Sequence, residues 1–106
     1  MERQIITKLQ KTFEDYAHQE EGVEFWFARD LQKLLGYVEW RKFQGVIEKA
    51  KEACKNSAQD INDHFVGAAK TIDMPKGATK EIEEYKLTRY ACYLIAQNGD
   101  PRKLAC

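Results

Sequence analysis

Two helical patterns separated by four residues constrain this sequence more than any other feature. Apolar residues recur at spacings of three and four over 28–35, and the same periodicity returns over 40–54. Gly36 follows the first pattern directly, at a position where glycine accepts the left-handed conformation that ends many helices. The sequence therefore predicts two separate helices joined by a tight turn.

Short segments with β character flank this helix pair. The aromatic run at 23–27 is typical of a strand. We expect residues 71–74 and 81–87 to pair antiparallel across an exposed turn at 75–80, with 23–27 as a third strand. Together with the helices, these segments predict an α+β fold, a small winged-helix-like domain with a helix-turn-helix and a short antiparallel β-sheet or hairpin.

Three further helices complete the prediction. The spacing of apolar residues predicts a helix over 2–18. A short helix is expected to start at Asp60 or Asn62 and to continue through Val66. The hydroxyl of Thr88 can cap the exposed backbone N–H groups of a final helix.

Composition limits the classes of protein to which the chain can belong. Its 106 residues favour a single domain, which we take to be 1–106. No apolar run is long enough to span a bilayer, and no signal-peptide stretch opens the sequence. The three cysteines, Cys54, Cys92 and Cys106, are odd in number and widely spaced, which favours a reducing cytoplasm, and Cys54 and Cys92 fall on apolar helical faces. We therefore expect a cytoplasmic protein without membrane contact.

The sequence carries none of the motifs that catalysis or cofactor binding usually requires. His18 and His64 stand far apart, outside any zinc-binding spacing. A phosphate-binding glycine loop and a serine nucleophile elbow are also missing from the sequence. We expect a protein that is not an enzyme and that has no cofactor or metal.

The second predicted helix is the strongest candidate for a functional surface. In a helix-turn-helix, side chains near the start of this helix reach phosphates and base edges in the major groove. Arg41 and Lys42 can contact phosphate or guanine, and Gln44 can pair with adenine. Lys76 and Lys80 surround the hairpin turn, where a wing could touch flanking phosphates.

A less specific interpretation of the same residues remains open. The chain has 17 basic and 17 acidic side chains, so its zero net charge argues against a general electrostatic hold on nucleic acid. Basic residues on an outward helix face, such as Lys49, are commonly just solvated. Trp26 and Trp40 occupy inward positions and are predicted to anchor the core rather than to stack on bases.

Several stretches resemble a known family. Residues 27–37, FARDLQKLLGY, followed by WRKF at 40–43, resemble the BRO N-terminal domain of phage antirepressors and large DNA viruses. The stretches KEACKNS at 51–57 and RYACYLIAQNGDP at 89–101, together with DHF at 63–65, resemble the bacterial DNA-damage-inducible protein D family. The resemblance covers most of residues 22–103.

The resemblance implies an intracellular bacterial protein connected with the response to DNA damage. BRO-type domains are associated with DNA binding, and the damage-inducible family with control of recombination. By position, the resemblance adds Arg29 to Arg41 and Lys42 as residues to test first. The sequence departs from the family pattern in three respects. Val38 replaces a polar residue before the second helix, the turn Pro75-Lys76-Gly77 differs from the usual wing turn, and family members usually continue well beyond this length. We therefore expect a truncated relative or an N-terminal fragment of a longer protein.

The leading hypothesis is a non-enzymatic, DNA-associated regulatory domain of a DNA-damage response or phage-type regulator. The alternative is a protein-interaction module that acts on recombination or repressor proteins without binding DNA. Both hypotheses allow a homo-oligomer. The predicted DNA-binding residues are Arg29, Arg41, Lys42, Gln44, Lys49, Lys76 and Lys80.

Overall fold

The computed structural model describes residues 12–100 and confirms an α+β fold. The described chain starts with a helical turn at 12–15. The elements that follow are β1 (His18–Glu20), β2 (Val23–Phe27), α1 (Ala28–Leu34), α2 (Trp40–Asn56), α3 (Ile61–His64), β3 (Phe65–Asp73), a 3₁₀ turn (Pro75–Gly77), β4 (Thr79–Leu87) and α4 (Arg89–Asn98). The expected helices over 28–35 and 40–54 are thus confirmed within two residues at each end.

The four strands form one antiparallel sheet in the order β1-β2-β4-β3. A two-residue turn joins β1 to β2, and both of its residues, Glu21 and Gly22, have positive φ. This backbone matches the twist of the flanking strands. β3 and β4 form a nine-pair ladder from Phe65–Leu87 to Asp73–Thr79. The predicted antiparallel hairpin is therefore confirmed, but its first strand begins at Phe65 instead of residue 71 and its second at Thr79 instead of residue 81. β2 joins it as expected through its pairing with β4.

One face of this sheet packs against the helices and forms the core. Trp26 and Leu87 are directly paired across β2 and β4, and both are fully buried. The helices contribute Phe43, Ile47 and Ile95, each without exposed surface. Other core residues are Ala28, Leu31, Leu35, Ala50, Cys54, Phe65, Tyr85, Ala91, Cys92 and Leu94. The expected burial of Cys54, Cys92 and Trp26 is confirmed, whereas Trp40 is half-buried and packs against the rim of the core.

Local signals in the sequence set several of the element boundaries. The Thr88 hydroxyl accepts the backbone N–H of Ala91 and caps α4, as predicted. The Asp60 carboxylate accepts the N–H of Asn62 and starts α3 in the same way. Gly36 has a φ of +80°, so it ends the α1 region in the left-handed conformation that glycine tolerates.

Three predictions of local structure need correction. The helix expected over 2–18 does not extend to His18, which instead begins β1; its residues 2–11 lie outside the described residues. The short helix does not continue through Val66, because α3 ends at His64 and β3 begins one residue later. Helical spacing predicts that Leu34 shares one core with Leu31, Phe43 and Ile47, but Leu34 is only half-buried and lies outside that core.

The first helix is capped by a residue from a distant strand. Phe27, at the N-cap of α1, offers no side-chain hydrogen bond. The carboxylate of Glu84 on β4 instead accepts the backbone N–H of Arg29 at 3.0 Å, and it also accepts the N–H of Tyr85 at 2.9 Å. Glu84 is only 2% exposed, so these bonds compensate for the burial of its charge.

The turn between α1 and α2 is held by the end of α4. The Tyr37 ring packs 5.3 Å from the ring of Phe43, and its hydroxyl accepts the backbone N–H of Asp100 at 2.7 Å. A Cβ added at Gly99 would lie 2.6 Å from this hydroxyl. Glycine at position 99 therefore lets α4 and the turn approach closely.

A pair of glycine substitutions tests this contact. Gly99→Ala should destabilise the fold by roughly 1–2 kcal/mol, because the Tyr37 hydroxyl must move away from Asp100. Gly45→Ala is the matched control, since Gly45 lies inside α2 with nothing within 4 Å of an added Cβ. That change should stabilise the fold by about 0.5–1 kcal/mol through helix propensity. Urea unfolding measures both, and equal effects at the two positions would contradict the proposed close approach.

Candidate nucleic-acid interface

The outward face of α2 presents three of the predicted cations to solvent. Arg41, Lys42 and Lys49 are all exposed. Arg41 makes no hydrogen bond or ion pair with any residue of 12–100. Lys42 lies 3.7 Å from Glu39 with 74% of its side chain exposed, an ion pair that water and salt screen strongly. These side chains are thus available to an external anion.

Two other predicted residues, Arg29 and Gln44, contact β4 instead of solvent. The Nε of Arg29 donates to the Glu83 carbonyl at 3.0 Å, and its guanidinium lies 3.9 Å from the centre of the Trp40 ring. The Nε2 of Gln44 donates to the Glu83 carboxylate at 2.7 Å. Both side chains therefore fasten the helix pair to the sheet, whereas Arg41 on the same helix as Gln44 stays exposed.

A lysine that the sequence did not single out extends this contact between α2 and β4. The Nζ of Lys51 donates to the Tyr85 hydroxyl at 3.1 Å and lies 3.4 Å from Glu48. Burial lowers the pKa of the Lys51 amine, but the contacts with Tyr85 and Glu48 together outweigh burial and raise this pKa above its ordinary value. Lys51 lies seven residues, or about two helical turns, beyond Gln44, so the helical period places both side chains on the same face of α2. This spacing could have identified Lys51 from the sequence.

The remaining predicted residues, Lys76 and Lys80, lie on a projecting hairpin. Residues 69–83, here called the arm, are all exposed except the half-buried Ile72 and Ile82. Lys76 sits at the tip with a φ of +65°. Lys80 pairs with Ile72 in the ladder, whereas Glu83 pairs with Ala69. Because side chains alternate along a strand, Lys80 lies on the opposite face of the arm from Glu83, the face away from α2.

The turn before α2 exposes an apolar side chain beside the cations. Val38 is 94% exposed. The N-cap of α2 is Glu39, which makes no side-chain capping bond, in line with the missing polar residue at position 38. The start of α2 therefore presents Val38, Arg41 and Lys42 together.

Metal and thiol chemistry have little support in this part of the chain. Within residues 12–100, no three His, Cys, Asp or Glu side chains are placed to hold a metal ion. His18 lies 3.9 Å from Asp30 but has no third ligand near it. Burial raises the pKa of the Cys92 thiol far above its ordinary value and also raises that of Cys54, so both stay protonated at neutral pH.

Comparison with known proteins places the chain in a family. The model of the BRO family, N-terminal domain, matches residues 15–105. The chain belongs to this family. The match includes α1, α2 and the arm, so the expected resemblance is confirmed over every element of the BRO N-terminal domain described above.

One relative of this BRO N-terminal domain is DNA damage-inducible protein D of Escherichia coli (strain K12). The two are 49% identical over 82 residues, which cover 77% of this chain and 30% of that protein. The chain thus spans less than a third of the length of its relative. No solved structure matches the chain. Among residues 12–100, no helix has the length and apolar character needed to cross a membrane.

Proposed function

We propose that this BRO N-terminal domain is a non-enzymatic, cytoplasmic, DNA-associated regulatory domain. In this proposal α1 and α2 act as a helix-turn-helix in a winged-helix-like domain, with the arm as its wing. The observation that carries the proposal is the exposed start of α2, where Arg41 has no partner among residues 12–100. The name of its relative connects that protein with DNA damage, which favours a role in a DNA-damage or phage-type regulatory response.

The arrangement of contacts favours α2 as the part that enters a DNA groove. Arg29, Gln44 and Lys51 hold the inner side of α2 against β4, so that helix is fixed while its outer side stays open. A rigid helix loses little freedom on binding, which helps affinity. Val38 could contact a thymine methyl group beside the phosphate contacts of Arg41 and Lys42.

A double substitution on α2 tests this proposal. Arg41→Ala/Lys42→Ala should weaken binding to duplex DNA by about tenfold at moderate salt, because two phosphate contacts are lost. The slope of log affinity against log salt should become shallower by about 1.8. The matched control is Lys33→Ala/Lys55→Ala, which removes two exposed cations that lie outside the arm and away from the start of α2, and it should leave both quantities nearly unchanged. Fluorescence anisotropy over a salt series measures the affinities.

The same series is repeated on a chain dimerised through an added coiled coil. Tethering two sites raises the apparent affinity without new contacts, so weak binding by a single domain becomes detectable. No binding by either form at low salt would contradict the proposal, as would equal loss in the control and the double variant.

The second candidate function is a protein-interaction module that acts on recombination or repressor proteins. One observation favours it over DNA binding. Asp73, Glu81 and Glu83 lie on the face of the arm that is turned to the same side as α2. Carboxylates on this face repel phosphate groups, so they weaken any contact that the arm makes with DNA as a wing. This function would be favoured if DNA binding survives the α2 substitutions. It would also be favoured if neither the single domain nor the dimerised chain binds DNA.

A further inference from the structure

The register of β3 and β4 divides the charges of the arm between its two faces. Lys70 pairs with Ile82, and Ile72 pairs with Lys80. Directly paired side chains lie on the same face of a sheet, and residues two apart along a strand share that face too. Two lysines and two isoleucines therefore form one compact patch, here called the Lys/Ile patch.

The opposite face of the arm carries only acidic charges. Its pairs are Asp73–Thr79, Thr71–Glu81 and Ala69–Glu83. This face is on the side of α2, because Gln44 bonds to Glu83. The Lys/Ile patch is consequently on the side of the sheet away from α2. On this side the start of α1 covers Glu84, two residues beyond Ile82, whereas the patch itself remains accessible.

The lysines of the patch have no acidic partner among the described residues. Neither Lys70 nor Lys80 makes an ion pair or hydrogen bond there. Lys86, further along the same face, is neutralised by Glu20 at 3.0 Å. The patch thus combines unpaired positive charge with the half-exposed aliphatic surface of Ile72 and Ile82.

A cleft and a free strand edge border the patch. An open cleft of about 280 Å³ is lined by His18, Phe27, Asp30, Ala69, Lys70 and Glu84. β3 is the last strand of the sheet, so the backbone groups on its outer edge pair with no other strand within residues 12–100. The Gly67-Ala68-Ala69 run of β3 has only small side chains, and the strand contains no proline. Such an edge can accept an additional strand from another chain.

We propose that this open face docks an extended acidic segment of a partner protein, which adds a strand to the edge of β3. Every second side chain of an added strand points to the Lys/Ile patch, so acidic residues at some of these positions reach Lys70 and Lys80 while apolar residues two positions further on cover Ile72 and Ile82. The ligand is a protein segment rather than a nucleic acid, because isoleucines give bases no stacking surface. Phe27, which lines the same cleft as Lys70, already packs against the rings of His18 at 4.9 Å and Phe25 at 5.3 Å.

Binding of a designed peptide to the 106-residue chain tests this proposal. The probe is a dye-labelled octapeptide that repeats Glu-Thr-Val-Thr, so that Glu and Val follow each other on one face of the strand. Its binding is followed by anisotropy and by amide chemical shifts. We expect saturable binding that weakens with salt and shifts centred on residues 66–73. Lys70→Glu/Lys80→Glu should weaken binding by at least about tenfold, because attraction becomes repulsion. The charge-matched control, Lys33→Glu/Lys55→Glu, changes exposed lysines elsewhere and should bind as the parent chain does.

Two further probes define the results that would overturn the proposal. A peptide with Lys in place of each Glu should not bind, and equal binding of the two peptides would refute charge recognition. A dye-labelled oligo-dT strand tests the nucleic-acid alternative. If oligo-dT displaces the peptide, and if Lys70→Glu/Lys80→Glu weakens oligo-dT binding as much as peptide binding, the face is assigned to nucleic acid instead. No shift in β3 with the acidic peptide would also refute the proposal. All these outcomes are independent of the α2 substitutions, so the DNA-binding proposal stands or falls separately.

Discussion

Trp26→Ala should destabilise the domain by roughly 3–5 kcal/mol, the largest effect expected of any single change here. Trp26 has no exposed surface. Its ring stacks on Phe13 with centroids 4.4 Å apart and planes 8° from parallel, and its indole N–H donates to the Phe13 carbonyl at 2.8 Å. Truncation therefore leaves a cavity beneath the helical turn at 12–15 and removes the bond that holds this turn to β2.

The conservative variant Trp26→Phe separates packing from hydrogen bonding. It keeps an aromatic ring in the core and loses the bond to the Phe13 carbonyl, so it should be clearly less destabilising than Trp26→Ala. Urea unfolding followed by far-ultraviolet circular dichroism measures the free energy of unfolding of both variants. The two are comparable when the dependence of this free energy on urea concentration is unchanged. A loss below about 1 kcal/mol for Trp26→Ala would show that Trp26 does not anchor this core.

Arg89→Ala should destabilise the domain by roughly 2–3 kcal/mol. The guanidinium of Arg89 binds two carboxylates, with its Nη2 3.0 Å from Glu14 and its Nε 2.9 Å from Glu24. Its Nη1 also donates to Glu14, and its Cζ lies 4.9 Å from the centre of the Trp26 ring. Because 34% of the side chain is exposed, water screens these bonds and keeps the effect below that of a fully buried ion pair.

The pH dependence of the Arg89 variant provides a second measurement. The hydrogen bond from Arg89 lowers the pKa of Glu14 below its usual 4.5. A carboxyl group whose pKa is lowered by folding stabilises the folded state at pH values above its usual pKa. This contribution is lost as the pH falls through the lowered pKa of the folded state. The difference in stability between the parent and Arg89→Ala should accordingly shrink below about pH 4.5. Arg41→Ala is the control, since that exposed side chain has no bond within residues 12–100 and should change stability by less than about 0.5 kcal/mol at any pH.

Features that depend on neighbours in sequence could be predicted, and features that depend on distant pairing could not. Helix periodicity located α1 and α2, and Thr88 marked the start of α4 because its bond to Ala91 is local. β1 was missed because its three residues are polar, and only its pairing with Val23–Phe27 makes it a strand. Phe65 and Val66, which begin β3, were predicted as the end of the short helix. The next residues, Gly67-Ala68-Ala69, were assigned to no strand, and this run has weak strand propensity.

The same distinction applies to the candidate site. Helical period alone placed Arg41, Lys42 and Lys49 outside, and they are exposed. It also placed Gln44 outside, but β4 crosses there and Glu83, 39 positions later, binds it. For Lys80, strand alternation fixes which neighbours share its face, but it does not reveal which face the helices cover.

The cap that Glu84 provides for α1 determines how the helix pair can form. α1 has only seven residues, and an isolated helix of that length is not stable in water. Its cap lies 55 positions away, so α1 becomes stable only when β4 has closed this long loop onto the end of β2. Such distant contacts raise the contact order and slow folding. Any autonomous unit that contains this helix pair must therefore include β2 through β4, together with α4, whose Ile95 shares the core. A segment limited to residues 28–57 would lose its first helix.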